Sequence, residues 1–151
     1  MNKEEKEILA LNDPYRSFYY CINNIQTANI EAHQQIILNS KDPSFCYSFA
    51  KQIPNANIKK LEQAIINNKN IYYYLLFACD VPGANIKAFE DLIIESKNPE
   101  ICYKFAKNIK SSNKQLLSEI VLESKILYFI EKFYNEVNFD KTKYETLMLF
   151  I

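Results

Sequence analysis

The sequence predicts an all-α protein, an α-solenoid of about five stacked short helical hairpins. The main observation is a 28-residue period, which four lysines mark: Lys41, Lys69, Lys97 and Lys125. A Phe-Ala pair recurs with the same period at 49–50, 77–78 and 105–106. Such a fixed period is typical of arrays of one supersecondary unit. The chain also has one glycine in 151 residues, and β-rich folds need many glycines for their turns.

We interpret residues 1–151 as a single helical-repeat domain, because this length can bury a core. Residues 41–125 form three regular repeats. Residues 1–40 form a divergent N-terminal cap and first unit, in which 3–11 predict a lone helix and 14–40 contain one inserted residue. Residues 126–151 form a divergent last unit. Atypical terminal units are expected, since they cover an otherwise open core.

The first helix of each unit has a clear start and stop. Asp42 is a good N-cap and Pro43 follows at the first helical position, as in Asp13-Pro14 and Asn98-Pro99. Pro54 ends the helix because a proline inside a helix removes a hydrogen bond. Pro54-Asn55 and Pro82-Gly83 then predict type II turns, whose third residue needs a positive φ. Ser111 and Thr27 occupy that position elsewhere, so we expect the turn type to vary.

The second helix of each unit follows an asparagine, at positions 29, 57, 85 and 113. Some repeat proteins read nucleic-acid bases with one polar residue per unit, but a position directly before a helix favours N-capping. Ala64, Ile65 and Ile66 are adjacent apolar residues, and this pattern recurs along the array. Such a wide apolar face fits a helix that packs between the unit before it and the unit after it.

Composition excludes several classes of protein. The net charge is zero, which disfavours a general affinity for nucleic acid or for an anionic membrane. No apolar run is long enough for a membrane span or a signal peptide, so we expect a cytoplasmic protein. The four cysteines form no C-x-x-C pair, and we interpret them as small packing residues. We expect no metal and no cofactor.

The chain ends in an apolar segment, Leu147-Met148-Leu149-Phe150-Ile151. Such a terminus is typical of a docked last helix, and it is also the best candidate for self-association. We therefore expect a monomer or a weak homodimer that forms through this segment.

The Phe-Ala pairs, the Ala-Asn-Ile segments after each turn and the Ser-Lys-Asp-Pro-like linkers resemble those of short helical-repeat proteins of bacteria and their phages. The resemblance covers residues 12–125. More distantly the chain is similar to tetratricopeptide and HEAT solenoids, although it lacks the Trp/Gly signature of the former. The resemblance implies a binding scaffold and supplies no catalytic residue.

His33, the only histidine, occupies the repeat position of Leu61, Phe89 and Leu117. We expect a partly exposed histidine in an end unit. A general base would need an orienting carboxylate, and the nearby Glu31 points elsewhere on a helix. No catalytic constellation is found.

Lysines and tyrosines are the candidates for partner binding. The lysines at the repeat boundary are expected to stabilise helix dipoles and could also form a positive stripe. Residues 97–125 hold six lysines and three glutamates, a net charge of +3. Tyr47 and Tyr103 precede the Phe-Ala pairs and should point away from the core. The expected partner-binding residues are Tyr47, Tyr103, Lys104, Lys107 and Lys110.

The sequence thus favours a non-enzymatic scaffold that binds another protein through its first helices. An adaptor or an inhibitor is one such role, and an example is a phage antagonist of a bacterial immune nuclease. The alternative is a nucleic-acid-binding repeat protein that uses a lysine and tyrosine face. An enzyme is the third class, and the missing constellation disfavours it.

Overall fold

The computed structural model describes residues 1–142 and 145–146, and over these residues it contains ten α-helices and no strand. Neighbouring helices pack in series, so the prediction of an all-α helical-repeat solenoid is confirmed. The chain divides into two compact units, Met1–Ala84 and Asn85–Ile151. This boundary falls inside the second regular repeat. A single domain over 1–151 stays a prediction.

Unit 1, Met1–Ala84, contains six helices in two layers. The helices are α1 (Lys3–Leu11), α2 (Pro14–Asn23), α3 (Ile30–Ser40), α4 (Pro43–Gln52), α5 (Ile58–Asn68) and α6 (Ile71–Asp80). We call α2, α4 and α6 first helices and α1, α3 and α5 second helices. The first helices pack on one another in series, and each second helix packs on the first helices beside it. The lone helix expected over 3–11 is confirmed as α1.

Unit 2, Asn85–Ile151, contains four helices in its described part. They are α7 (Ile86–Ser96), α8 (Pro99–Asn108), α9 (Lys114–Glu123) and α10 (Leu127–Glu136). Here α8 and α10 are first helices, and α7 and α9 are second helices. In the divergent last unit the sequence also predicts a final helix that contains Tyr144, Leu147 and Met148, and these three residues lie outside the described part of the chain. The apolar terminus 147–151 lies there too.

The helix starts follow the capping residues. Asp13, Asp42 and Asn98 each accept a hydrogen bond from a first-turn backbone N–H, and a proline follows each of them. The four asparagines before the second helices likewise cap them, with side-chain oxygens that accept from Ala32, Lys60, Ala88 and Leu116 N–H. The interpretation of the asparagines as helix caps is therefore confirmed.

The turns between first and second helices use the expected residues. Asn55 has φ 63° and Gly83 has φ 82°, so both occupy the left-handed region. In each turn the chain closes with an N–H···O=C bond, from Ala56 to Ile53 and from Ala84 to Val81. This geometry is that of a type II turn. Ser111 has no positive φ, which agrees with the expected variation in turn type.

The core consists of the apolar positions that recur with the repeat. Phe49, Phe77 and Phe105 are fully buried, and the alanine after each is nearly so. The second helices contribute residues that are also fully buried: Leu61, Ile65, Phe89, Ile93, Leu117 and Val121. The wide apolar face is only partly buried, because Ala64 and Ile66 are half-exposed beside the fully buried Ile65.

The lysines at the repeat boundary have an unexpected backbone conformation. Lys41, Lys69 and Lys97 are the C-caps of α3, α5 and α7, with φ of 55°, 61° and 51°. Lys125 follows the C-cap of α9 and has φ 56°. The left-handed region costs a residue with a Cβ about 1 kcal/mol, and glycine usually occupies this position. The sequence showed the location of these lysines but not this strain.

Buried polar side chains accept hydrogen bonds from the N-cap asparagines. Glu5 Oε1 accepts from the backbone N–H of Asn29 at 2.5 Å, and Gln34 Oε1 accepts from that of Asn57 at 2.8 Å. In unit 2, Glu90 accepts from the N–H of Asn113. Glu5, Gln34 and Glu90 are each at most 5% exposed. We call these three residues the acceptor ladder, since each satisfies the start of the next second helix.

We expect Phe77→Ala to destabilise the protein far more than Asn57→Ala. Truncation of a fully buried phenylalanine leaves a cavity and lowers the free energy of unfolding by about 3–5 kcal/mol. Loss of the Asn57 side chain removes one cap bond and lowers it by about 1 kcal/mol. Urea denaturation of both variants measures the difference. Midpoints in the reverse order would contradict the assignment of the core.

We expect Lys69→Gly to raise the free energy of unfolding by about 0.5 kcal/mol. The substitution removes the left-handed strain, and the greater freedom of glycine in the unfolded chain offsets part of the gain. Gln63→Gly, at an exposed position within α5, is the matched control and should lower the same quantity by about 1 kcal/mol. If thermal or urea denaturation shows that both variants lose the same free energy of unfolding, Lys69 is not strained.

Candidate functional site

Tyrosines are segregated between the two classes of helix. Every tyrosine in the part of the chain that the structure describes lies on a first helix. They are Tyr15, Tyr19, Tyr20, Tyr47, Tyr72, Tyr73, Tyr74, Tyr103, Tyr128 and Tyr134. The second helices α1, α3, α5, α7 and α9 have none and expose mainly Lys, Glu, Asn and Gln. The two sides of the repeat therefore differ in chemistry.

Several of these tyrosines are exposed in unit 1. Tyr15, Tyr19 and Tyr72 are 58%, 45% and 50% exposed, and Leu76 on α6 is 39% exposed. Tyr47 and Tyr73 are half-buried and meet edge to face, with ring centroids 6.3 Å apart. We call the exposed side of α2, α4 and α6 the tyrosine face. It presents large amphipathic rings, which are favoured at protein interfaces.

Tyr47 belongs to a polar cluster that joins α4 to α6. Its hydroxyl donates to Asp80 Oδ2, and Lys51 Nζ lies 2.7 Å from the same oxygen and 3.0 Å from the Tyr47 hydroxyl. Hydrogen bonds from Lys51 and Tyr47 hold the pKa of Asp80 below its ordinary value. The same bond to Asp80 raises the pKa of Lys51, so both groups are charged at neutral pH.

An equivalent cluster joins α8 to α10 in unit 2. The Tyr103 hydroxyl donates to Glu136 Oε2 at 2.5 Å, and Lys107 Nζ lies 2.6 Å from that oxygen. Lys132 Nζ donates to the other oxygen at 2.8 Å. Hydrogen bonds from Lys107, Lys132 and Tyr103 lower the pKa of Glu136 to about 2. We call this set, together with its counterpart in unit 1, the Tyr–Lys–acid clusters.

The expected partner-binding residues are thus less available than the sequence implied. Tyr103 is only 8% exposed, so the expectation that it points away from the core is wrong. Lys107 pairs with Glu136, and Lys104 pairs with Glu100 at 2.5 Å. Lys110 is exposed and makes no ion pair within residues 1–142 and 145–146. Three of the five residues therefore take part in contacts inside unit 2, and their role in binding stays a prediction.

The burial and the surroundings of His33 differ from those expected from the sequence. It is fully buried, and its ring stacks on that of Tyr20 with the ring centroids 5.1 Å apart. Its Nε2 lies 3.4 Å from Glu5 Oε1. Neither ring nitrogen has a well-aligned hydrogen bond. Burial lowers the pKa of His33, and the nearby Glu5 carboxylate opposes this shift. The expected partial exposure is wrong, and the carboxylate comes from α1, which sequence spacing could not show.

Three of the cysteines agree with their interpretation as packing residues. Cys21, Cys46 and Cys102 are buried, and desolvation raises the pKa of each thiol to about 11 or 12. Cys79 is exposed, so that interpretation is wrong for it. Among the described residues no group of three or more His, Cys, Asp or Glu side chains is arranged to hold a metal ion.

Comparisons with protein-family models, with curated proteins and with solved structures found no match to this chain. No helix among the described residues is both long enough and apolar enough to span a membrane.

We expect that the free energy of unfolding of the Glu136→Gln variant falls less steeply at acid pH than that of the unmodified protein. The pKa of this carboxyl falls from its ordinary value of 4.5 to about 2 on folding. The folded state therefore binds fewer protons, so the stabilisation is complete above pH 4.5 and is lost as the pH falls towards 2. Urea denaturation at several pH values measures this slope.

Glu131→Gln is the matched control, because Glu131 is exposed on the same helix and makes no ion pair with a described residue. The free energy of unfolding of this control should fall with decreasing pH as steeply as that of the unmodified protein. An unchanged slope in Glu136→Gln would show that the unit 2 cluster does not form in solution.

Proposed function

We propose that this chain is a non-enzymatic protein-binding scaffold that acts through the exposed side of its first helices. The observation that carries the proposal is the segregation of the tyrosines to these helices, with Tyr15, Tyr19 and Tyr72 about half-exposed. Tyrosine contributes a large contact area and a polar hydroxyl, and few rotatable bonds are immobilised on binding. Such a scaffold serves as an adaptor, or as an inhibitor that covers a surface of its partner.

The charges on these helices favour a protein over a nucleic acid. Lys51, Lys104, Lys107 and Lys132 each pair with a carboxylate at 2.5–2.8 Å. A nucleic-acid groove needs cations that are free to replace the counterions of several phosphates. With the lysines already paired, the aromatic rings remain as the main source of affinity. Binding should therefore depend little on salt.

The test is a variant that replaces four exposed residues of the tyrosine face with serine: Tyr15, Tyr19, Tyr72 and Leu76. The immobilised protein captures partners from a nuclease-treated lysate of the cell that encodes it. Hot-spot residues contribute about 2 kcal/mol or more each, so we expect captured protein to fall at least tenfold. Capture by the unmodified chain should change little between about 0.05 and about 0.5 M salt.

The control variant places serine at four exposed positions on the second helices of the same unit: Glu31, Gln35, Lys59 and Gln63. It should capture partners as the unmodified chain does, and both variants should keep the helical circular dichroism signal. Normal capture by the tyrosine variant would contradict the proposal. Capture that disappears on nuclease treatment would instead support the nucleic-acid alternative.

A further inference from the structure

A shallow groove runs between α1 and α2 at the N-terminal end of unit 1. Its volume is about 440 Å³, and residues of both helices line it. Glu4 and Ile8 come from α1, and Tyr15, Arg16, Tyr19 and Asn23 are among those from α2. Two exposed aromatic residues, Tyr15 and Tyr19, lie in the groove.

The two rings form an open aromatic surface. Tyr15 and Tyr19 lie one helical turn apart, with ring centroids 4.5 Å apart and planes tilted by 47°. They remain 58% and 45% exposed, so about half of each residue faces solvent. A ring of a bound ligand can pack on such a surface without breaking contacts inside the protein.

The polar groups of the groove supply several hydrogen-bond donors. Arg16 is exposed and makes no ion pair with a described residue, and its guanidinium carries five N–H donors. The Asn23 amide and the Tyr15 and Tyr19 hydroxyls add further donors and also carry acceptors, and Glu4 is the one carboxylate in the lining. A ligand that places a row of acceptors over the aromatic rings can therefore use these donors, and a cation fits only at the end beside Glu4.

From this complementarity we infer that the groove binds a proline-rich segment of a partner protein in the polyproline II conformation. Proline residues have no backbone N–H, and in polyproline II every carbonyl is free to accept a hydrogen bond. Their pyrrolidine rings pack on aromatic grooves, and the conformation loses little entropy on binding. The inference depends on the proposed function, since it names the chemistry that one part of the first-helix surface recognises.

The charge of the groove disfavours the main competing ligand. Single-stranded nucleic acid also stacks on tyrosines, but its affinity comes largely from several cations along a backbone groove. Here Arg16 is the one cation in the lining, and Glu4 opposes it. The groove therefore favours a proline-rich peptide over an oligonucleotide, and the experiment below includes an oligonucleotide as a competitor.

The test uses a fluorescent decaproline peptide with one C-terminal lysine. A peptide of equal length and charge, made of alanine and glutamine, is the control. Fluorescence anisotropy should give a dissociation constant of about 10⁻⁵–10⁻³ M for decaproline and no saturation for the control. Tyr15→Ala combined with Tyr19→Ala should weaken binding at least tenfold, and Arg16→Gln should weaken it several-fold.

Tyr72→Ala is the matched variant, because Tyr72 is equally exposed but does not line the groove. It should bind decaproline as the unmodified chain does. Absence of binding at about 1 mM peptide, equal binding by the Tyr15/Tyr19 variant, or displacement of the peptide by decauridylate would each overturn the inference. If decaproline fails while tyrosine-dependent protein capture persists, the inference is wrong and the proposed function stands.

Discussion

The start of each second helix is the point on which the packing within each unit depends. A backbone N–H at a helix N-terminus has no partner inside its own helix, and it is costly to bury without one. Asn29, Asn57 and Asn113 meet this constraint in two ways at once. The side chain of each caps its own helix, and its backbone N–H donates to Glu5, Gln34 or Glu90 of the preceding second helix. This second bond sets the register between successive repeats.

The first helices differ from the second helices in the side chains that they present. Their inner side supplies the buried phenylalanines, and their outer side supplies the exposed Tyr15, Tyr19 and Tyr72. The tyrosines at 20, 74 and 103 are buried. The Tyr–Lys–acid clusters tie neighbouring first helices together and neutralise the lysines there. The outer side therefore keeps its aromatic rings, while the lysines of the clusters are neutralised by Asp80 and Glu136.

The clusters also show a longer period than the repeat itself. Tyr47 and Tyr103, Lys51 and Lys107, and Asp80 and Glu136 are each 56 residues apart, which is twice the repeat. Cys46 and Cys102 alternate in the same way, and both thiols lie near a carbonyl of the preceding second helix. This double spacing is visible in the sequence. It shows that the two sets of residues are equivalent, but not that the members of one set are in contact.

The sequence by itself determined the local structure of this protein. Period, caps, prolines and the single glycine predicted the helices, their boundaries and the recurring core residues, because each depends on neighbours a few positions away. Only the tertiary structure decided which polar groups meet. Glu5 approaches His33, and Glu136 approaches Tyr103, across separations of 28 and 33 residues. Side chains so far apart in sequence carry no local signal of their contact, so exposure and charge pairing on the candidate surface had to be seen in three dimensions.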